Sequence, residues 1–131
     1  MPTLTPTITL SGSATDFGDA LNFSTSKALT IGDNDAKISR TYAVNDVNPG
    51  GPKIYDTGLG KCYIYLRNLT DSTEIHITAA ATTAKAAAWM HLAGGEFAFF
   101  PWAGKVNLFA NSGDDGVGVV ADALEVLIYQ A

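Results

Sequence analysis

The sequence has 131 residues, enough for one domain with a substantial hydrophobic core and no need for a second. Charged residues make up 16% of the chain, against about 25% in typical proteins, while the apolar fraction of 47% is ordinary. The net charge of −5 and the scattered Lys and Arg residues exclude a nucleic-acid partner, because phosphate binding requires clustered positive charge. We therefore expect any partner to be a protein.

The sequence also restricts where the protein is made. Residues 1–6 lack the basic and apolar regions of a signal peptide, and no apolar run reaches the length of a membrane span. We expect a protein that is made in a cytosol, is not secreted and has no membrane partner. Cys62 is the only cysteine, so an intrachain disulfide is impossible and we predict a buried thiol within a strand.

The N-terminal segment predicts an extended arm over residues 1–14, ahead of a sandwich domain over residues 15–131. Leu4, Ile8 and Leu10 alternate with threonines, and two prolines make the segment a poor central strand. Two alternatives remain open. Either the arm joins a neighbouring subunit or a shell, with these three residues as anchors, or it forms an edge strand of the protein's own sandwich.

The middle of the chain predicts a series of strands separated by turns. Residues 21–24 and 28–31 are a candidate strand pair. The clearest strand alternates Cys62, Ile64 and Leu66 on one face with tyrosines on the other, and a hairpin follows it. The alanine-rich residues 79–88 are too short for an independent helix and are predicted to be a loop. The predicted strands up to that loop are residues 21–24, 28–31, 37–45, 62–69 and 74–78.

Residues 92–102 form the densest aromatic run and are predicted to hold the strand around which the core is built, with Gly94 and Gly95 as the turn before it. Phe97 and Phe99 leave one face of this strand, and Phe100 and Trp102 leave the other. Both faces are apolar, so we expect one to pack on the core and the other on a subunit or partner. The alternatives are that all four aromatics belong to the core, or that Phe100 and Trp102 lie at an assembly interface. Pro101 predicts a strand end, an edge or a bulge.

The remaining predicted strands are residues 105–110 and 123–131. In all, about eight strands occur at intervals of about 8–15 residues, with no convincing helix, which is the pattern of an all-β protein. The predicted fold is a single-domain antiparallel β-sandwich or jelly roll.

The chain offers little material for catalysis or metal binding. His76, His91 and Glu96 are the only candidates for the site of double-stranded β-helix enzymes, but the His-x-His pair of those enzymes is missing. The acidic turns at residues 33–35 and 114–115 lack the ligand spacing of a calcium loop and are predicted to be solvated. No nucleophile or phosphate-loop motif is present. We therefore expect no enzymatic activity, no metal site and no cofactor.

Four segments together resemble the small β-sandwich structural proteins of tailed-bacteriophage virions. They are residues 63–70, 74–77, 92–102 and 124–129, a strand, a hairpin strand, a Gly-Glu-aromatic strand and a terminal Leu-Glu strand. Capsid decoration, or cement, proteins are the nearest members. The resemblance covers about half the chain and carries no catalytic residues. It implies a protein that binds the major capsid protein or another virion protein as a homo-oligomer, with a trimer favoured, after assembly in the host cytoplasm.

Two other functions stay open from the sequence. Within the same class, the protein could be a neck, tail or baseplate component of the virion. From another class, it could be a carbohydrate-binding or host-adhesion module, because jelly rolls often bind sugars through exposed aromatic side chains. The residues for that function are Trp89, Trp102, Tyr63 and Tyr65.

Overall fold

The computed structural model describes residues 2–13, 15, 18, 21–32, 37–44, 51–70, 73–79, 88–112 and 122–131. The chain divides into two compact units, Met1–Asn34 and Asp35–Ala131. Strands dominate the regular structure, which confirms the predicted all-β class. No helix within the described ranges has the length and apolar character needed to cross a membrane.

The first unit is a β-hairpin interrupted near its open end. Strand β1 (Thr3–Leu4) pairs with β4 (Leu29–Thr30), and β2 (Thr7–Gly12) pairs with β3 (Leu21–Ser26), both antiparallel. The two ladders keep one register, since Leu4 lies opposite Leu29 and Thr7 opposite Ser26. Pro6 lies between them and has no N–H to donate, which explains why the ladder breaks there.

This hairpin bears on two sequence-based expectations and corrects the first of them. The predicted pairing of residues 21–24 with residues 28–31 is wrong, because both segments pair with the N-terminal residues instead. The predicted arm over residues 1–14 contains β1 and β2, which are paired within their own unit. A direct pairing of β3 with β4 would need a tight turn over the two residues between them. Neither residue is a glycine or an asparagine, which such turns favour.

The second unit is a two-layer sandwich of eight described strands. The front sheet has the order β10-β7-β12-β5 and the back sheet has the order β6-β11-β8-β9, and all the described pairings are antiparallel. Successive strands alternate between the sheets except at β8 and β9, which is jelly-roll connectivity. The predicted sandwich is confirmed. The strands are β5 (Lys37–Val44), β6 (Lys53–Tyr55), β7 (Cys62–Asn68), β8 (Ile75–Thr78), β9 (Met90–Leu92), β10 (Phe97–Trp102), β11 (Leu108–Ser112) and β12 (Asp122–Gln130).

The core lies between the two sheets and follows the period-2 alternation of their strands. In β7, Cys62, Ile64 and Leu66 are fully buried, which confirms the predicted inner face and the buried thiol. Isoleucines of β8 face them from the back sheet. The buried hydrophobic residues are Val44, Ile54, Tyr55, Cys62, Ile64, Leu66, Ile75, Ile77, Leu92, Leu108, Ala110, Leu124, Val126 and Ile128.

The aromatic strand occupies a different place from the predicted one. Strand β10 lies at the edge of the front sheet, whereas β7 and β12 are central. The turn predicted at Gly94 and Gly95 is confirmed, and it separates the end of β9 at Leu92 from β10. Gly95 has a φ of +79°, a conformation that glycine adopts without steric cost. Pro101 confirms the prediction of an edge, since a central strand would need its missing N–H.

The other predicted strands differ mainly at their ends. The strand expected at residues 105–110 is β11 (Leu108–Ser112), and residues 104–106 form a bend before it. The acidic turns at residues 33–35 and 114–115 and most of the predicted loop at residues 79–88 lie outside the described residues.

Candidate functional site

The hairpin of the first unit has one apolar face that is exposed. Leu10 lies directly opposite Phe23, and residues two positions away on either strand share their face. The members of this apolar hairpin face are each 39–50% exposed, and they are Ile8, Leu10, Leu21 and Phe23. The opposite face carries threonines, serines and an asparagine, with the Thr9 and Ser24 hydroxyls 3.3 Å apart.

The predicted anchors of the arm are therefore distributed unevenly. Ile8 and Leu10 are exposed on the apolar hairpin face, whereas Leu4 is half-buried opposite Leu29. A two-stranded ribbon is at best marginally stable in water unless its apolar side is covered. Phe23 was not recognised in the sequence as part of this surface, because only the pairing register brings it to Leu10.

A second exposed aromatic surface lies on the outer face of the front sheet. Phe97 of β10 is 69% exposed, and its ring stacks on Tyr65 with centroids 6.3 Å apart. Phe99 stacks on Tyr63 in the same way at 6.4 Å. These four rings form the outer aromatic face, and Arg67 is exposed on the same face.

The predicted interface residues Phe100 and Trp102 lie on the other face of β10. Both are half-buried and pack against the core. Trp102 also donates a hydrogen bond from Nε1 to the Val106 carbonyl at 3.2 Å. Trp89, 43% exposed, stacks on Trp102 with centroids 5.6 Å apart and planes inclined by 11°. The aromatic residues considered for sugar binding are thus divided, since Trp89 and Trp102 lie together while the two tyrosines lie on the outer aromatic face.

A polar cluster lies on the outer face of the back sheet. His76 of β8 and His91 of β9 are directly opposite each other, with ring centroids 4.8 Å apart. The Glu74 Oε1 atom is 2.9 Å from His76 Nε2 and 3.2 Å from His91 Nδ1. We call these three residues the histidine cluster. His76 alternates with the core residues Ile75 and Ile77, so its ring points away from the core, yet it is only 2% exposed.

The hydrogen bonding of the cluster fixes the His76 tautomer. The Glu74 carboxylate can only accept, so the hydrogen bond between them places the hydrogen of the neutral ring on Nε2, while the buried Nδ1 has no hydrogen-bond partner within the described residues. Glu96, which lies near the histidines in sequence, has another role, because its carboxylate accepts a 2.8 Å hydrogen bond from the Ala93 N–H. The carboxylate that reaches both histidines comes from Glu74 instead.

A small groove lies where β5 and β6 meet at one side of the sandwich. Its volume of 210 Å³ is below the roughly 300–1,000 Å³ typical of ligand pockets. Lys53 and Asp56 form an ion pair at its rim. Hydrogen bonds from Lys53 and from the Gly58 N–H lower the pKa of the Asp56 carboxyl. The groove is too small to enclose a substrate of ordinary size.

No protein-family model matches the chain, and comparisons with curated proteins and with solved structures gave no significant match. The exposed surfaces and the histidine cluster are therefore the features from which we infer a function.

Proposed function

We propose that the protein is a non-enzymatic structural protein of a bacteriophage virion, a decoration protein that binds the capsid shell as a homo-oligomer. The observation that carries the proposal is the apolar hairpin face. Ile8, Leu10, Leu21 and Phe23 are exposed together on a ribbon that needs cover to be stable. A partner protein is the natural source of that cover for a chain with so few charges.

The outer aromatic face supports the same proposal. Protein interfaces are enriched in aromatic residues and arginine, and this face has four aromatic rings beside the exposed Arg67. Each of the two units thus carries an exposed apolar surface, which supports a role in binding other proteins. Binding of each copy then stabilises the assembled shell over its dissociated subunits by mass action.

The first experiment measures the temperature at which shells dissociate, with and without added protein, and counts bound copies by quantitative mass spectrometry. We expect a higher dissociation temperature and a copy number that matches the shell lattice. A few copies per particle would instead favour a neck, tail or baseplate component. Unchanged shell stability together with no bound copies would refute a virion role.

A second experiment links this activity to the hairpin. The double variant Ile8→Thr with Leu10→Thr places threonine, a β-branched residue that favours strands, at both positions and removes the apolar side chains. We expect at least about a tenfold loss of shell affinity, equivalent to about 1.4 kcal/mol. The matched control is Thr7→Ser with Ser11→Thr on the polar face, which should bind normally. Equal binding by both double variants would show that this face is not the docking surface.

A carbohydrate-binding function is the second candidate, favoured by the Trp89–Trp102 stack. Trp89 lies just before β9 and exposes an indole that a sugar ring could cover. A glycan array with the intact protein tests this function. Specific binding that is lost in Trp89→Ala and kept in Phe97→Ala would replace the virion proposal with a sugar-binding one.

A further inference from the structure

The histidine cluster contains both histidines of the chain and one of its three glutamates. His76 and His91 are 15 residues apart in sequence, and the register of β8 and β9 places them opposite each other. Directly opposed residues of an antiparallel pair project from the same face, so both rings are held on one side of the back sheet. Glu74 immediately precedes β8 and extends its carboxylate between the two rings.

We propose that Glu74, His76 and His91 bind a divalent first-row transition-metal ion, with zinc as the reference ion. Two imidazole nitrogens and a carboxylate oxygen are a ligand set that such ions accept, and three protein ligands leave a position for water or for a group from a partner. The ligand atoms all lie within 4.8 Å of one another. In a tetrahedral zinc site, bonds of about 2.0–2.1 Å require ligand atoms about 3.3 Å apart.

Two of the three separations already approach that value. The Glu74 Oε1 atom lies 2.9 Å from His76 Nε2 and 3.2 Å from His91 Nδ1. The remaining separation, between the two histidine nitrogens, is at most 4.8 Å and has to shorten by at most about 1.5 Å to reach tetrahedral spacing. The buried His76 ring provides a fixed ligand. The side chains of Glu74 and His91 are 37% and 38% exposed, so rotation of their outer torsions can bring them to the ion.

An ion can reach this position from solvent. A shallow depression beside the cluster is lined by His91 and Glu96, together with Leu92, Gly94, Gly95 and Phe97. The exposure of Glu74 and His91 opens the cluster on the same face. A bound ion would join the segment before β8 to β9, and it would therefore stabilise that edge of the back sheet.

Metal binding has a specific effect on His76. Without the ion, Nε2 donates its hydrogen to Glu74. Coordination through Nε2 needs its lone pair, so the neutral ring must carry its hydrogen on Nδ1 when the ion is bound. The change of tautomer gives a spectroscopic signature that a purely structural hydrogen bond between Glu74 and the histidines would not produce.

The test is calorimetric titration of the full chain, prepared without a histidine tag, with zinc chloride. We expect one ion per chain and a Kd at or below about 10 μM, equivalent to about −6.8 kcal/mol. His91→Asn and Glu74→Gln each remove a direct ligand and should weaken zinc binding. The loss should exceed the roughly 10–100-fold in metal affinity that is typical when a residue next to a ligand is removed. Glu125→Gln, a carboxylate of the front sheet, is the matched control and should bind zinc normally. Nitrogen NMR of the intact protein should show the His76 hydrogen moving from Nε2 to Nδ1 as zinc is added.

Several outcomes would overturn the metal proposal. One is no zinc binding at about a hundred times the expected Kd. Another is binding that His91→Asn and Glu74→Gln, shown by circular dichroism to be folded, leave unchanged. A third is equal affinity for magnesium, which prefers oxygen ligands. These results would leave the virion proposal intact, since it depends on other residues.

Discussion

The side-chain amide of Asn68 donates a 3.0 Å hydrogen bond to the backbone carbonyl of Leu92, 24 residues further along the chain. The same Nδ2 group donates to the Thr73 carbonyl at 2.7 Å, and Oδ1 accepts a 2.9 Å bond from the Thr70 N–H. Asn68 is fully buried. One side chain at the end of β7 thus connects the front sheet to the segment before β8 and to the last residue of β9.

Replacing Asn68 with aspartate tests the importance of this network. The substitution keeps the shape but removes both donors and turns a carboxylate toward two carbonyl oxygens. We expect a loss of about 2–4 kcal/mol in the free energy of unfolding, because buried polar groups lose their partners. Denaturant unfolding measures it. Asn22→Asp, on the polar face of the hairpin, is the matched control, and equal effects of the two variants would contradict the prediction.

Alanine substitutions at Gly95 and Gly104 distinguish the cost of a left-handed backbone conformation from the cost of a steric clash. Both have a φ of +79°, but a Cβ on Gly104 would lie 2.5 Å from the Gly60 carbonyl carbon, whereas one on Gly95 meets nothing within 4 Å. Gly95→Ala should cost about 1–2 kcal/mol from the left-handed conformation alone. Gly104→Ala should cost about 1–3 kcal/mol more, because the clash is with backbone. Thermal unfolding of both variants measures the difference, and equal losses would show that Gly60 moves freely.

Cys62 should be protected from thiol reagents while the protein is folded. Burial raises the pKa of its thiol from 9.0 to about 11. At about pH 8, the native protein should therefore not react with a disulfide reagent, and the unfolded chain should react at once. Rapid labelling under native conditions would contradict the buried position.

The same shift predicts how stability depends on alkaline pH. The folded state retains the thiol proton at a pH where the unfolded state has lost it, so the stabilising contribution is complete below 9.0 and is lost as pH rises to about 11. In Cys62→Ala, this part of the pH dependence should disappear. Unfolding curves across that pH interval provide the comparison.

The sequence predicted the central strands well because their environment follows from their own side chains. In β7, every second residue is fully buried, and alternation alone identifies such a strand. The position of β10 could not be deduced in that way. Its sequence pattern predicts two apolar faces but does not determine which strands pair with it. Pro101 was the one indication of an edge strand, because proline has no backbone N–H to donate to a neighbouring strand.

The candidate sites could not be predicted from the sequence because they also depend on which strands pair. Glu74 and His76 are close in sequence, but His91 joins them only through the register of β8 with β9, across a long connection. Phe23 joins Leu10 in the same manner, through the pairing of β2 with β3. Period-2 patterns place a residue on a face, whereas a site also needs the register between strands, which depends on the packing of the whole sheet.

Asp56 should titrate at a lower pH than an ordinary aspartate. The hydrogen bond from Lys53 is the main cause of its lowered pKa, followed by the Gly58 N–H and the Lys53 charge. Because the folded pKa lies below the ordinary value of 3.8, the stabilising contribution is present above that pH and is lost as pH falls through the folded pKa. Carboxyl NMR titration should show the pKa rising in Lys53→Met. Lys27→Met, in the first unit, is the control and should leave it unchanged.

Phe97 is the best residue for testing the outer aromatic face. Because its side chain is largely exposed, a substitution there can weaken binding to a partner while changing the stability of the fold only slightly. Its ring is 69% exposed, so Phe97→Ser should reduce the free energy of unfolding only by the stacking with Tyr65, about 0.5–1.5 kcal/mol. If the face contacts a shell or a second copy, the same variant should lose at least about tenfold in affinity, since exposed aromatics at an interface often dominate its binding energy. The matched control is Phe100→Ser, for which we expect a large effect on stability. The Phe100 side chain packs against the core, so its loss should strongly lower the unfolding temperature. Normal particle binding by folded Phe97→Ser would exclude this face from the interface and leave the apolar hairpin face as the docking surface.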